Sequence, residues 1–260
     1  MKNFLYIFVF LSNTIFFNSI FAQEQEALSP KQMIWPFDGV MGRFDRQTIQ
    51  RGYQVYKEVC AACHSLKRIS YRNLKDIGFS EDEIKFIAAG YTVTDGPNDA
   101  GEMFTRAAVP TDYFVSPYPN QQAARVANNG AAPPDLSLMV KAREDGANHI
   151  YSILTGYQQP PEGFKMTNED LHYNPYFTNR QIAMPEPLSD NIVTYADGTP
   201  STKDQMAYDV VNFLQWAAEP EMEKRKLIGV KTILFLLFFT IISYIAKGRI
   251  WARLDNEGEK

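Results

Sequence analysis

The chain has 260 residues, of which 45% are hydrophobic and 22% are charged, and its formal net charge is −4. This composition is typical of a folded protein with an adequate hydrophobic core, and the length allows one large domain or two small ones. Acidic residues outnumber basic ones between the two apolar ends of the chain. We therefore expect a surface that repels nucleic acid and attracts a basic protein partner.

The first 22 residues have the layout of a cleaved export signal. Lys2 precedes an apolar run, and Ala22 precedes a polar, acidic segment. We expect cleavage after Ala22, and the alternative is an uncleaved N-terminal anchor. Export would place the next segment, residues 23–226, outside the cytoplasm.

Three helices are expected in this exported segment. The first, RQTIQRGYQVYKEVC, has apolar residues at helical spacing after Asp45, a candidate N-cap. The second begins at Ser80, where SEDE forms a capping box. The third runs from Thr202 or Lys203 to about Ala218. These helices would supply the core of the domain.

Two long stretches between the helices, about 92–129 and 156–201, are rich in Pro, Gly, Asn and Tyr and show no regular pattern. Loops of this length in a compact domain are usually covers or binding surfaces. The predicted fold class is therefore all-α, with long loop insertions in one domain and a single transmembrane helix after it.

The transmembrane helix is predicted at residues 227–246, LIGVKTILFLLFFTIISYIA. Twenty helical residues rise about 30 Å, enough to cross the hydrocarbon core. Lys231 would snorkel to the lipid surface. A buried core helix is the alternative, but the run is apolar on all sides. Basic residues flank both ends, so the export signal sets the orientation and leaves residues 247–260 in the cytoplasm.

Residues 60–64 read Cys-Ala-Ala-Cys-His and contain the only two cysteines of the chain. Cys-x-x-Cys-His is the attachment signature of c-type haem, in which two thioethers hold the porphyrin and the imidazole of His64 binds the iron. The alternatives are a zinc site, a thioredoxin-like pair and a disulfide. Zinc needs further ligands, the redox pair needs a βαβ context, and so short a disulfide loop would constrain little.

The second axial ligand decides what such a haem does, since methionine suits electron transfer and an empty position permits ligand binding or peroxidase chemistry. Met184, in IAMPEPL, follows an apolar pair and precedes two prolines that stiffen the backbone. Met206 fits a core position on a helix, and the other methionines stay open as candidates. His149 and His172 are more simply a residue of a helix start and a polar loop residue.

Four segments together resemble the cytochrome c1 family, the haem subunit of the quinol:cytochrome c reductase (cytochrome bc1 complex, complex III). They are WPFDGVMGRFDRQTIQRGYQVYKEVCAACHS, ARVANNGAAPPDLSLMVKAR, YSILTGYQQPPEG and NPYFTNRQIAMPEPL. They occur in the order of the family and are followed by its C-terminal anchor. The resemblance covers nearly the whole chain after the export signal.

The resemblance implies one covalently attached haem c in a cytochrome c-type domain. Cys60 and Cys63 would hold the haem, with His64 and Met184 as iron ligands. The haem pocket would also include the following residues: Asn128, Pro133, Pro134, Arg143, Leu154, Phe177 and Ile182. An arginine suits a propionate carboxylate, a proline carbonyl can accept from an imidazole N–H, and an apolar wall keeps the potential high. The weaker interpretation of Arg125 and Arg143 is a solvated helix face.

The resemblance further implies partners and a location. The partners are cytochrome b and the Rieske iron–sulfur protein in one membrane complex, expected to be dimeric, and cytochrome c as the acceptor. The haem domain would face the periplasm from the inner membrane and relay single electrons. Acidic residues are candidates for steering the acceptor, with a merely solvated face as the alternative: Glu81, Asp82, Glu83, Asp95, Asp99 and Glu102. The rival functions are a membrane-tethered electron shuttle and a haem enzyme or gas sensor with an open iron site.

Overall fold

The computed structural model describes residues 26–258, with side chains up to residue 252. The predicted export signal, residues 1–22, lies outside the described residues. The described chain contains six α-helices and four short strands. The helices are α1 (Arg46–Glu58), α2 (Glu81–Ala89), α3 (Gln121–Ala127), α4 (Gly146–Thr155), α5 (Lys203–Ala218) and α6 (Met222–Gly258). The strands are β1 (Thr92–Asp95), β2 (Phe104–Ala107), β3 (His172–Tyr173) and β4 (Gln181–Ile182).

The predicted helix starts are confirmed by their caps. The Asp45 carboxylate accepts from the backbone N–H of Gln47 ahead of α1. Ser80 forms the expected capping box ahead of α2. The hydroxyl of Thr202 accepts from the backbone N–H of Gln205 in α5. Each cap satisfies an N–H group that has no partner inside its helix.

The helices α1 and α5 cross at very close range and form the centre of the fold. Gly52 of α1 lies against the backbone of α5, where an added Cβ would lie 2.0 Å from the carbonyl oxygen of Asp209. The ring centroid of Phe213 in α5 lies 5.7 Å from that of Tyr53 and 5.5 Å from that of Tyr56. A glycine at this crossing therefore brings the aromatic residues of both helices into contact.

The mostly helical fold class is confirmed, with a small amount of sheet in the two stretches expected to be loops. The strands β1 and β2 pair antiparallel, as do β3 and β4. In the second pair His172 lies opposite Ile182, two residues before Met184. This short ribbon fixes the start of the IAMPEPL segment.

The C-terminal helix α6 is longer than the predicted span of 227–246. It begins at Met222, which is buried against the domain, and continues to Gly258. Residues 222–252 are long and apolar enough to cross a membrane, and none of the most apolar window is buried inside the protein. The exposed apolar surface argues against the alternative of a buried core helix. Lys231 is exposed on the helix, as snorkelling requires.

Candidate haem site

The CAACH segment forms a tight turn directly after α1. Cys60–Ala62 is a single 3₁₀ turn, and the N–H groups of Cys63 and His64 both donate to the carbonyl of Cys60, at 3.1 and 2.8 Å. Both cysteines are free thiols and half-buried, so the disulfide alternative is not seen. Burial, with a smaller contribution from Cys63, raises the pKa of the Cys60 thiol to about 12. The turn presents both sulfur atoms and the imidazole from one short piece of backbone.

The imidazole of His64 is held by a backbone carbonyl of the PPD segment. Its Nδ1 lies 2.8 Å from the carbonyl oxygen of Pro134. Burial lowers the pKa of His64, and the Pro134 carbonyl opposes this shift. A neutral ring that donates from Nδ1 has its lone pair on Nε2, which is the form a metal ligand requires. The proline carbonyl expected from sequence is therefore that of Pro134, the neighbour of Pro133.

The segment carrying Pro134 is joined to the chain after the haem motif by hydrogen bonds. The carboxylate of Asp135 accepts from the Ser65 hydroxyl at 2.8 Å and from the Lys67 N–H at 2.9 Å. The N–H of Leu136 donates to the carbonyl of Ser65 at 2.9 Å. Burial acts to raise the pKa of Asp135, but the hydrogen bonds that its carboxylate accepts, those from Lys67 and Ser65 among them, lower it. Asp135 was not found from sequence, because a carboxylate following two prolines has no distinctive signal.

Met184 lies in the loop after β4. Its side chain is half-buried and packs against the same hydrophobic core as Cys60. The hydroxyl of Tyr157 donates to the carbonyl oxygen of Met184 at 3.0 Å. Burial raises the pKa of Tyr157, so the phenol keeps its proton. Tyr157 was not predicted from the sequence, because its partner lies 27 residues further along the chain. Met206, in contrast, is fully buried in α5 as a core residue.

The residues expected in the haem pocket form an apolar group and a polar group. Leu154 and Ile182 are buried, and Phe177 is half-buried, as an apolar wall requires. Asn128 ends α3, and its side-chain amide donates to the carbonyl of Ala124. Arg143 is exposed and donates to the neighbouring carbonyl of Ala142. The haem contacts assigned to these residues stay predictions.

Arg125, His149 and His172 have local structural positions that agree with the simpler interpretations of these residues. Arg125 donates to the carbonyl of Gly130 at 2.9 Å and ties α3 to the NNG turn. His172 is exposed on β3, and His149 is half-buried in α4, where burial and the charge of Arg143 lower its pKa. Within residues 26–258 no group of three or more His, Cys, Asp or Glu could hold a metal ion, as the zinc alternative would need.

Most of the acidic residues expected to steer an acceptor already have partners. Three are in ion pairs: Glu81 with Lys75, Asp82 with Lys85 and Asp95 with Arg106. Glu83 accepts from Ser80 in the capping box. Asp99 and Glu102 lie exposed between β1 and β2, and neither forms an ion pair within the described part of the chain. These two carboxylates are the most available to a partner.

The helical domain, the CAACH turn at the end of its first core helix and the apolar C-terminal helix together define a c-type cytochrome domain carried on an anchor helix. The residues present fit a covalently bound haem, because two free thiols and an imidazole with Nε2 available lie on one short turn, and Cys60 and Met184 both pack against the hydrophobic core.

Comparison with known proteins agrees with this class. The Cytochrome C1 family profile matches residues 35–254. The chain is 52% identical over 90% of its length to "Cytochrome c1 1, heme protein, mitochondrial" of Arabidopsis thaliana, covering 76% of that protein. It is 49% identical over 84% of its length to "Cytochrome c1" of Rhodospirillum rubrum, covering 85% of that protein. A Candida albicans relative, "Cytochrome b-c1 complex catalytic subunit, mitochondrial", is 45% identical over 89% of this chain and 81% of its own. The chain belongs to the cytochrome c1 family of haem proteins.

Proposed function

We propose that this chain is the electron-transfer subunit of a respiratory quinol:cytochrome c reductase. Single electrons would arrive from the Rieske iron–sulfur protein and leave to a cytochrome c through one covalently bound haem c. The observation that carries the proposal is the hydrogen bond between His64 Nδ1 and the Pro134 carbonyl, which leaves Nε2 for an iron ion. Membership of the family and the name of the Candida relative support its place in a cytochrome b-c1 complex.

The residues of this chain would each have a binding or positioning task. Cys60 and Cys63 would hold the haem through thioether links, and His64 and Met184 would hold its iron. When bound, the haem iron supplies one-electron exchange between its ferric and ferrous states. No substrate bond is made or broken in this relay, so the subunit itself needs no general acid, base or nucleophile. The buried Leu154 and Ile182 exclude water from the site.

The proposed location follows from the anchor helix. With α6 in the inner membrane as a single span and residues 23–226 on the periplasmic side, the haem domain would lie at the membrane surface beside cytochrome b, in a dimeric complex. The tail after residue 246 would be cytoplasmic. The apolar, exposed surface of α6 supports membrane insertion.

Replacing Met184 by leucine tests the ligand assignment. We expect the ferric methionine-to-iron absorption band to disappear and the reduction potential to fall, because leucine cannot donate a lone pair. The matched control is Met206→Leu, since Met206 is fully buried in α5 and should leave the band in place. An unchanged spectrum in Met184→Leu would refute the assignment of Met184.

A pulldown in mild detergent tests the place in the complex. We expect cytochrome b and a Rieske iron–sulfur protein to co-purify with the full-length chain. Isolation of the haem-loaded chain without them would favour the membrane-tethered electron shuttle instead. Rapid binding of carbon monoxide to the reduced protein would favour an open iron site, as in a haem enzyme or gas sensor.

A further inference from the structure

The loop between Phe37 and Phe44 is fastened to the first turns of the anchor helix α6. Nζ of Lys226 donates to three carbonyl oxygens of this loop, those of Phe37 at 2.6 Å, Gly39 at 2.7 Å and Gly42 at 3.3 Å. A cation bound by several carbonyls is held more tightly than a solvated lysine. The loop and the helix start therefore form one unit.

Glu223, one helical turn before Lys226, makes a second set of contacts with this part of the chain. The carboxylate of Glu223 accepts from the backbone N–H of Phe44 at 2.7 Å. The same carboxylate forms an ion pair with Arg46 at the start of α1, also at 2.7 Å. Lys226 and Glu223 thus hold both ends of the loop against α6. These contacts fix the position of the loop along the helix axis.

Two glycines give this loop its tight shape. Gly39 has φ of +70°, a conformation that other residues adopt at a cost. At Gly42 an added Cβ would lie 2.0 Å from the carbonyl oxygen of Asp38. The backbone therefore folds closely on itself, and the two residues at the tip, Val40 and Met41, project outward. Each of them is 70% exposed.

The exposed tip lies beside the point where α6 becomes apolar. Val40 and Met41 line one groove, with a volume of about 340 Å³, together with Leu227 and Val230 of α6. Leu227 is the first residue of the apolar stretch, 227–246. If this stretch lies in the hydrocarbon layer, the loop tip lies at the depth of the membrane interface.

The charges around the groove fit the headgroups of a phospholipid layer. Arg43 is exposed at the end of the loop and lines the same groove as Lys224. Lys224 and Arg225 are also exposed at the start of α6, although each pairs with a glutamate. Basic side chains above an apolar surface are the arrangement by which proteins bind lipid phosphates and acyl chains together.

We propose that the loop of residues 39–43 is a second membrane contact of this protein, in which Val40 and Met41 enter the interfacial layer of the bilayer and Arg43 meets the lipid phosphates. The proposal rests on the proposed membrane span of α6. A single span fixes the depth of α6 in the bilayer but not its tilt. A second contact beside it, joined through Lys226, holds the haem domain at one orientation to the membrane.

A probe attached at the loop tip tests this contact. In the haem-loaded chain both native cysteines are expected to be blocked, so Met41→Cys would carry the only reactive thiol of this chain. We expect the emission of an environment-sensitive fluorophore on this thiol, with the complex in phospholipid vesicles, to shift to shorter wavelength. Phospholipids spin-labelled near the carbonyl end of the acyl chain should quench it at least about twofold more than at a water-exposed site.

Two further labelled variants make the outcome decisive. Val126→Cys, 87% exposed on α3, is the water-exposed control, and Phe239→Cys in the middle of α6 reports whether the helix is in the bilayer. Deep quenching at position 239 without quenching at position 41 would overturn the loop contact and leave the span standing. A probe at position 41 shielded from both lipid and aqueous quenchers would also overturn it, because a protein subunit would then cover the loop. If the fluorophore instead labels the unchanged chain, Cys60 or Cys63 is reactive, and the covalent haem attachment of the proposed function is refuted.

Discussion

Backbone carbonyl groups connect the proposed iron ligands to the rest of the domain. The carbonyl of Pro134 orients the imidazole of His64, and the carbonyl of Met184 accepts from the phenol of Tyr157. In the first case the hydrogen bond acts on the ring that we propose as an iron ligand. In the second it acts on the backbone of the loop that carries Met184, so we assign Tyr157 a positioning role toward the second proposed ligand.

Replacing Tyr157 by phenylalanine should weaken the hold on Met184. Losing one hydrogen bond to a carbonyl costs about 1 kcal/mol, so the methionine-to-iron band of the ferric protein should be lost at a lower temperature. A thermal titration of that band measures the effect. The control is Tyr113→Phe, whose ring is 62% exposed. Equal transition temperatures in the two variants would show that Tyr157 does not position Met184.

The residues of the site differ in how visible they are in sequence. Cys60, Cys63 and His64 lie in one segment of five residues, 60–64, so their spacing alone predicts their chemistry. Met184 was singled out by the prolines beside it. Tyr157 and Asp135 act through contacts across long stretches of chain, and tyrosines and aspartates are too common for a local pattern to mark these two. Contacts between residues that are distant in sequence depend on the fold, and a local sequence pattern carries no information about them.

Helices and strands also differ in how well the sequence predicts them. Helices α1, α2 and α5 carry their own caps and apolar spacing, so the sequence predicted their starts correctly. The strands β3 and β4 have two residues each and were missed, because so short a pair has no periodicity to detect. The close crossing of α1 and α5 depends on Gly52, and nothing in the local sequence marks this glycine as a helix contact.

The contact between α1 and α5 contains an ion pair with one fully buried partner. Arg51 of α1 lies 2.9 Å from the carboxylate of Asp209 in α5, whose side chain is completely buried. We expect Arg51→Gln to lower the free energy of unfolding by about 3 kcal/mol, because a buried charge would lose its partner. Denaturant unfolding of the full-length chain in detergent, followed by circular dichroism, measures this. Lys85→Gln, in an exposed pair with Asp82, should cost less than about 1 kcal/mol.

The loss in Arg51→Gln should depend on pH. Burial raises the pKa of Asp209, and Arg51 opposes this shift, so removing the arginine should raise that pKa further. A carboxyl group with a higher pKa in the folded state binds its proton more tightly there, so lowering the pH favours folding of the variant. The difference in unfolding free energy from the unchanged protein should therefore be smaller at pH 5 than at pH 8. A difference independent of pH would show that Asp209 is not the origin of the loss.

At the scale of the whole molecule, the acidic character of the chain is distributed unevenly. The carboxylates of α2 are largely used in its cap and in local ion pairs, which reduces the field they present to a partner. Asp99 and Glu102, on the connection between β1 and β2, remain exposed. The six acidic residues are equivalent candidates in the sequence, because their pairing with lysines and arginines depends on side-chain positions. Of these six residues, the two on the connection between the strands are therefore the most available for electrostatic guidance of a basic acceptor.

If this connection guides the acceptor, neutralising it should slow association. We expect the rate of reduction of a basic cytochrome by the haem-loaded complex to fall as salt is added, and Asp99→Asn with Glu102→Gln to lower both the rate at low salt and the slope of its salt dependence. The matched control is Glu169→Gln with Asp170→Asn, which removes the same charge from another exposed acidic pair. Stopped-flow kinetics at several ionic strengths measure both. Equal slopes for the two double variants would place the effect in the net charge, and a flat salt dependence of the unchanged complex would rule out steering altogether.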